Sequence, residues 1–459
     1  MAKELTNQKM DMIHGSIWNK IIQYAIPVAA TGILEQLFNA SDIAIVGNFT
    51  GSAKTVSVAA VGANSPIVGL LLNFFIGIAL GANVVIANAI GKNDEHTIHK
   101  AVHTSVIMAV AGGLLVTIFG ELFIGNLLQM LNVPDDVFPY ALLYIRIYLL
   151  GMPVILLYNF EAAIFRSIGE TKTPLKALAI AGVLNVILNL FFVIVLKMTV
   201  NGVAIATVIS NFVSSALLLV KLVKTDSEIR IRRQELAFDT EAFKKIIRIG
   251  LPAGIQTAVF SVANIVIQSA INSLGTIVIA ASSAAFNIEI FAYDMLNSFS
   301  QACTTFTGQN YGAGQIKRCK KVLLLCILED AIATASVIVL VLISGKALLS
   351  IFNNDSQVIE LGYTRLVMIF SAYTFSMLYE NLSGYLRGFG ISLVPAILTI
   401  IGVCGVRILW ILTVFPTHRT FKAIMTAYPV SLATTALLIF IAVMIYRPSR
   451  RLKIHSKEA

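Results

Sequence analysis

The chain has 459 residues, of which 57% are hydrophobic and 13% are charged, and its mean hydropathy is +0.83. So few charges cannot cover a soluble protein of this length, and the composition therefore predicts a protein that is solvated largely by lipid. The net charge of +10 would suit nucleic-acid binding, but the basic residues cluster between apolar stretches, a placement that indicates membrane topology instead.

Apolar stretches follow one another along the whole chain, each long enough for the roughly 20 residues that a helix needs to cross a bilayer. We predict twelve spans, at 17–44, 56–86, 101–125, 138–165, 174–196, 201–222, 242–271, 277–306, 321–345, 358–385, 393–415 and 422–446. The expected fold class is an all-α membrane protein with twelve transmembrane helices in two six-helix lobes that repeat in parallel. The expected domains are an N-terminal lobe (1–223), a cytoplasmic linker (224–241), a C-terminal lobe (242–447) and a basic cytoplasmic tail (448–459).

The two halves share one motif at a fixed distance. A shift of 221 residues relates Tyr158 to Tyr379, Arg166 to Arg387, Gly169 to Gly390, Pro174 to Pro395 and Gly91 to Gly312. In a membrane protein, a duplication in the same direction is typical of transporters that work by alternating access.

Basic residues also predict the orientation of the chain. Lys and Arg collect after the even-numbered spans, for example at 317–321 after the eighth span and at 447–453 after the twelfth. The positive-inside rule therefore predicts that both termini are cytoplasmic. The predicted location is the cell membrane, as a multi-pass protein.

Ionisable side chains inside a bilayer are costly and therefore mark candidate functional positions. In the first span, Thr31, Glu35, Asn39 and Asp42 recur at intervals of four, four and three residues, which places them on one helix face. Pro27 removes a backbone hydrogen bond one turn earlier, so the helix can bend there. We predict that Asp42 and Glu35 couple transport to a cation. The alternatives are that Asp42 is solvated at the outer mouth and that Glu35 pairs with a buried basic group.

The fifth span offers two amides, Asn185 and Asn189, one turn apart. They are candidates for the same cation site, because amides can bind a cation or share a proton network with Asp42. The alternative is that they hold helices together, a common role for polar side chains in membranes.

The second half carries its own acidic candidates, Glu289 and Glu380, and Glu289 is expected to face a cavity. Together with Thr207 they are candidate contacts to substrate or to the second-lobe cleft. The repeated Arg166 and Arg387 are expected to be structural anchors at the inner ends of their spans. The alternative is that they form a gate that closes the inner mouth.

Four phrases of the sequence resemble the multidrug and toxic compound extrusion (MATE) family. They are residues 165–174 (FRSIGETKTP), 185–189 (NVILN), 202–207 (GVAIAT) and 251–256 (LPAGIQ). The resemblance runs through nearly all of the spans. It implies two six-helix lobes around a central cleft and the export of amphipathic, often cationic compounds in exchange for Na⁺ or H⁺.

The same resemblance implies a role for Asp42, which matches the helix-1 aspartate that binds the cation in bacterial members. Asn189 stands where many members have an aspartate, which argues against a proton site with two carboxylates. Ser376, and Phe260 or Ser261, stand where the sodium-coupled NorM branch has carboxylates. The chain is therefore expected to lie nearer the DinF-like bacterial branch, with coupling through the first lobe.

We expect no cofactor beyond the coupling ion, H⁺ or Na⁺, and no metal site beyond transient Na⁺ at Asp42. The expected partners are small amphipathic molecules and membrane lipid, without nucleic acid, and the expected state is a monomer. The main alternative is a lipid-linked precursor flippase of the same superfamily, which usually has a more cationic cleft. An enzyme is not expected, because the six histidines lie in loops, tails or span ends and form no catalytic or metal-binding pattern.

Overall fold

A computed structural model describes residues 10–131 and 133–448, and these residues form helices joined by turns, without a strand. The α-helices are α1 Trp18–Phe49, α2 Lys54–Gly91, α3 Glu95–Met130, α4 Phe138–Leu150, α5 Met152–Ser167, α6 Lys172–Leu190, α7 Val200–Lys224, α8 Thr240–Asn272, α9 Thr276–Gly312, α10 Ile316–Ser350, α11 Ser356–Phe370, α12 Tyr373–Gly388, α13 Leu393–Thr399, α14 Val406–Thr413 and α15 Phe421–Tyr446. The predicted all-α class is confirmed. The predicted basic tail lies outside the described residues from position 449 onward.

Most of the predicted spans correspond to one long helix. In the described part of the chain, ten helical segments are long and apolar enough to cross a membrane. Two of them include a π-helical stretch: Phe191–Val195 continues α6, and Ile400–Gly405 joins α13 to α14. Large apolar side chains on these helices are exposed, including Ile343 at 82%, which suits contact with lipid.

Two predicted spans are interrupted rather than continuous. The fourth consists of α4 and α5, which bend by 51° at the break around Gly151. The tenth consists of α11 and α12, of 15 and 16 residues, separated by two residues at 371–372. The two breaks lie at equivalent positions of the sequence repeat, since the shift of 221 residues relates Gly151 to position 372.

The repeated motif has the same backbone conformation in both halves. Gly169 and Gly390 have φ angles of 82° and 78°, in the left-handed region that glycine tolerates. Each follows the end of a helix, as a C-terminal cap commonly does. The next helix then begins three residues later, with Pro174 or Pro395 at its third position.

The chain divides into two compact units. Among the described residues, the first consists of residue 10 and residues 30–86, 94–131 and 133–247, and the second of residues 11–29, 87–93 and 248–448. Helix α1 is thus shared, because its residues 18–29 belong to the second unit and 30–49 to the first. The division follows closely after Pro27, which lies inside the continuous helix.

Each unit has its own apolar core. In the first, side chains of α1 to α7 meet around Tyr144, Tyr148 and Leu156. In the second, two clusters are centred on α9, α11 and α15, around Phe370 and Tyr428, and on α12 and α15, around Leu386 and Ile439.

Within the second unit, two glycines related by the repeat pack directly on one another. A Cβ on Gly91 would overlap the carbonyl oxygen of Gln309, and a Cβ on Gly312 would overlap that of Asn88. The close approach of α2 and α9 at this point therefore requires glycine in both positions.

The segment after α7 is docked on the start of α3 in the first unit. Ile229 and Ile231 are buried, and the Arg232 N–H donates to His103 Nε2 at 3.2 Å. The Lys100 ammonium lies 2.9 Å from the Asp239 carboxylate. The hydrogen bond from Lys100 holds the pKa of Asp239 below its ordinary value.

Candidate functional site

The part of the candidate site that lies in the first unit depends on close packing of α1 against α6. Gly182 of α6 has no side chain, and the ring of Phe38 from α1 occupies the space where a Cβ would lie. Asp42 is one helical turn after Phe38, and Asn185 and Asn189 are one and two turns after Gly182. The polar side chains of both helices are therefore brought to one level of the first unit.

Asp42 is the centre of a hydrogen-bonded cluster. Its side chain is 6% exposed, and Oδ1 accepts a hydrogen bond from Asn189 Nδ2 at 2.5 Å. Its Oδ2 accepts from Thr207 Oγ1 at 3.1 Å. The cluster thus joins three helices: α1 supplies the carboxylate, and α6 and α7 each supply one hydrogen-bond donor.

The amides extend the cluster by one turn. Asn189 Nδ2 also donates to Asn185 Oδ1 at 3.1 Å, and Asn185 Nδ2 lies 3.4 Å from Thr207 Oγ1. Both N–H groups of Asn189 are therefore used, while its buried Oδ1 accepts no hydrogen bond from a described residue. This oxygen is available to a ligand beside the Asp42 carboxylate.

The side chains that donate hydrogen bonds to the Asp42 carboxylate are all neutral. Among the described residues, no Lys, Arg or His nitrogen lies within 4.0 Å of Asp42. A buried carboxylate without a cationic partner is costly, so binding of a proton or a small metal cation is favoured.

Thr207 suits two states of that carboxylate. Its hydroxyl has one hydrogen but lies near two acceptors, Asp42 Oδ2 and the Val203 carbonyl oxygen at 3.0 Å. When Asp42 is charged, the hydroxyl can donate to it. When Asp42 carries a proton, Asp42 can donate to the hydroxyl, which then donates to Val203. The same atomic positions therefore serve both states.

Glu35, the other acidic candidate of α1, is not hydrogen-bonded to this cluster. It is half-buried, and its carboxylate is attracted electrostatically by the positive charge of Arg166. Asn39 from the same predicted stripe is exposed, whereas Thr31 is buried. The helix face predicted from spacing therefore contains one residue of the cluster, Asp42.

The acidic candidates of the second unit lie beside arginines. Glu289 forms an ion pair with Arg365 at 2.8 Å, and both side chains are largely buried. Glu380 lies 4.0 Å from Arg387 and accepts a hydrogen bond from Tyr293 at 3.4 Å. These contacts partly or fully neutralise the two carboxylates.

One buried acid, Glu161, was missed at the sequence level, and the partner of another, Asp330, was not identified. Glu161 on α5 is fully buried and accepts a hydrogen bond from Ser215 at 2.9 Å. Asp330 on α10 is also fully buried and accepts from Asn381 Nδ2 at 2.5 Å. The rule that singled out Asp42 would have found Glu161, since it is an acid inside an otherwise apolar span. The partner of Asp330 could not be read from the sequence.

Comparison with known proteins places these features in a family. The MatE family model matches residues 27–191 and 252–412, more than half of the chain. The probable multidrug resistance protein YoeA of Bacillus subtilis is 25% identical over 434 residues, covering 93% of each chain. The probable multidrug resistance protein NorM of Thermotoga maritima is 25% identical over 396 residues, covering 85% of this chain and 84% of that protein.

A solved structure has the same fold. It is described as the outward-facing conformation of a multidrug resistance MATE family transporter of the MOP superfamily, with a TM-score of 0.88 and 22% identity over 96% of this chain and 98% of that one. The position nearer the DinF-like than the NorM branch stays a prediction. The family match, the helical fold and the apolar spans together establish that the chain is a multi-pass membrane protein and belongs to the MATE family.

Proposed function

We propose that this protein is a secondary active multidrug efflux transporter, which exports amphipathic, often cationic compounds in exchange for H⁺ or Na⁺. The observation that carries the proposal is the buried Asp42 carboxylate, which has only neutral hydrogen-bond donors. The names of the relatives from Bacillus subtilis and Thermotoga maritima support the multidrug part of the proposal.

The exchange follows from competition for one negative charge. Asp42 can be neutralised by a proton or Na⁺, or by a cationic compound that approaches it, but a single carboxylate does not fully neutralise two cations at once. Binding of one cation therefore favours release of the other. Alternating access would then release the two cations on opposite sides of the membrane.

Each member of the cluster has a distinct role in this scheme. Asn189 and Thr207 stabilise the charged carboxylate between the two binding events, because hydrogen bonds to a charged group are the stronger kind. Asn185 positions Asn189 by accepting its second N–H. Glu35 stays a candidate for coupling, and Glu289 and Glu380 stay candidates for contact with substrate.

The test is ethidium efflux from proteoliposomes, with a sodium gradient and a pH gradient imposed separately. Wild-type protein should respond to at least one gradient, and Asp42→Asn should respond to neither while its expression and folding are unchanged. Asn39→Ala is a matched control, because Asn39 is exposed on the same helix. Full coupled efflux by Asp42→Asn would remove Asp42 from the mechanism. Efflux that ignores both gradients, together with scrambling of lipid, would favour the flippase alternative.

A further inference from the structure

Arg407 on α14 is a buried cation in the second unit. It is 2% exposed, and its one side-chain hydrogen bond to a described residue runs from Nε to Ser431 Oγ at 3.0 Å. Its guanidinium carbon lies 4.2 Å from the centre of the Tyr428 ring and 5.3 Å from that of Phe260. The two terminal nitrogens, each with two N–H groups, therefore have no acceptor among the described residues.

The other buried arginines in the described part of this unit lie near an acid. Arg365 pairs with Glu289 at 2.8 Å, and Arg387 lies 4.0 Å from Glu380. No carboxylate of a described residue comes within 4.0 Å of Arg407. The aromatic rings offset part of the cost of burying this charge, but the guanidinium still lacks a counter-charge.

The neighbouring charged side chains leave this positive charge uncompensated. The guanidinium of Arg365 also lies against Tyr428, 5.6 Å from the ring centre. Two arginines therefore flank one ring, and Glu289 supplies one negative charge, which leaves the group with a net charge of one positive unit. An anion bound at Arg407 would neutralise it.

The geometry also indicates which kind of anion fits. A guanidinium presents its N–H groups as a planar fork, which matches the oxygens of a carboxylate, sulfonate or phosphate group. Tyr428 is buried against the guanidinium, whereas Phe260 is partly exposed and offers aromatic surface next to the charge. Such surface binds the apolar part of a molecule that carries the oxyanion.

We propose that Arg407, flanked by Tyr428 and Phe260, binds the oxyanion group of an amphipathic organic anion. The site takes ligands of the opposite charge to those that compete at Asp42. Where the anion is a transported compound, this inference rests on the proposed efflux function and widens its substrate class. The same oxyanion chemistry is found in the headgroup of an anionic lipid, and the experiment distinguishes these two sources.

The experiment measures binding of a matched series to the purified full-length protein in neutral detergent by calorimetry. The probes are 1-naphthoate, naphthalene-1-sulfonate and 1-naphthyl phosphate, with neutral 1-naphthalenemethanol and cationic 1-naphthylmethylammonium for comparison. At least one oxyanion should bind wild-type protein about 10- to 100-fold more tightly than the neutral alcohol. Arg407→Gln should abolish this preference, and Arg407→Lys should retain part of it, because lysine keeps the charge without the fork.

Arg146→Gln is the control, since Arg146 is a half-exposed arginine of the first unit that lies 3.4 Å from Glu121. It should keep the full preference for the oxyanion. The proposal is overturned if wild-type protein shows no such preference or if Arg407→Gln keeps it. If Arg407→Gln fails to fold, the proposal is tested by the binding of the same probes to wild-type protein and to Arg407→Lys.

Repeating the series in phosphatidylcholine nanodiscs, with and without phosphatidylglycerol, identifies the source of the anion. If phosphatidylglycerol removes the preference in wild-type protein, the natural occupant is a lipid headgroup; if the preference persists, it is a soluble compound. Both results support the oxyanion site. Ethidium efflux by Arg407→Gln keeps the two proposals apart, because loss of oxyanion binding with retained efflux leaves the Asp42 mechanism intact.

Discussion

Replacing Gly182 by alanine should destabilise the first unit, although alanine is the better helix former. A Cβ at this position would overlap the Cζ, Cε1 and Cε2 atoms of the Phe38 ring. Inserting a methyl group into a filled space costs about 1–3 kcal/mol. Replacing glycine inside a helix by alanine returns about 0.5–1 kcal/mol. The net loss in the free energy of unfolding should therefore be up to about 2.5 kcal/mol.

The control is Gly62→Ala in α2. Nothing lies within 4 Å of a Cβ built on Gly62, so this change should be neutral or stabilising by up to about 1 kcal/mol. Unfolding of the purified variants in detergent measures both effects, and the double variant Gly182→Ala/Phe38→Ala should regain stability relative to the sum of the single changes.

Transport should change along with stability. When the Phe38 ring is displaced, α1 and α6 move apart, and the 2.5 Å hydrogen bond between Asp42 and Asn189 lengthens or breaks. Gradient-driven ethidium efflux by Gly182→Ala should therefore fall, whereas efflux by Gly62→Ala should not. The reasoning is refuted if Gly182→Ala matches wild-type protein in both stability and efflux.

Two further predictions concern charged contacts. Glu289→Gln leaves the Arg365 charge buried without its acidic partner and should lower the free energy of unfolding by about 3–5 kcal/mol. The double variant Glu289→Gln/Arg365→Gln should recover much of that loss. Equal stability of Glu289→Gln and wild type would count against the ion pair. Because the contact with Lys100 lowers the pKa of Asp239, its contribution is complete above the ordinary aspartate pKa and is lost only as the pH falls through the lower pKa of the folded state. Hydrogen-exchange protection of the linker should thus persist at neutral and mildly acidic pH and decrease at neutral pH in Lys100→Gln; unchanged protection in that variant would contradict the role of the contact.

Much of the fold could be predicted because its signals are local. Apolar length predicted the long spans, and the shift of 221 residues predicted the matching turns at Gly169 and Gly390. The interruption of the tenth span could not be read from its own residues. The fourth span has Gly151 and Pro153 at its break, whereas the corresponding positions 372 and 374 carry alanine and threonine.

The candidate site was predicted in part. Burial cost and helical spacing singled out Asp42, Asn185 and Asn189, and the structure brings these three together. The same arguments did not predict that Thr207 donates to Asp42, because hydroxyl groups are frequent in spans and the bond joins residues 165 positions apart. Nor could they identify Arg365 as the partner of Glu289, since pairing is decided by the packing of α9 against α11.

The contact between Gly91 and Gly312 has a consequence for how a duplicated protein can change. After a gene duplicates, the copies of a residue usually drift apart, because each meets different neighbours. Here the two copies meet each other's helix, so a methyl group added to either one would strike the opposing main chain. Neither copy can acquire a side chain unless the crossing opens, and the pair is expected to stay identical while the rest of the two halves diverges.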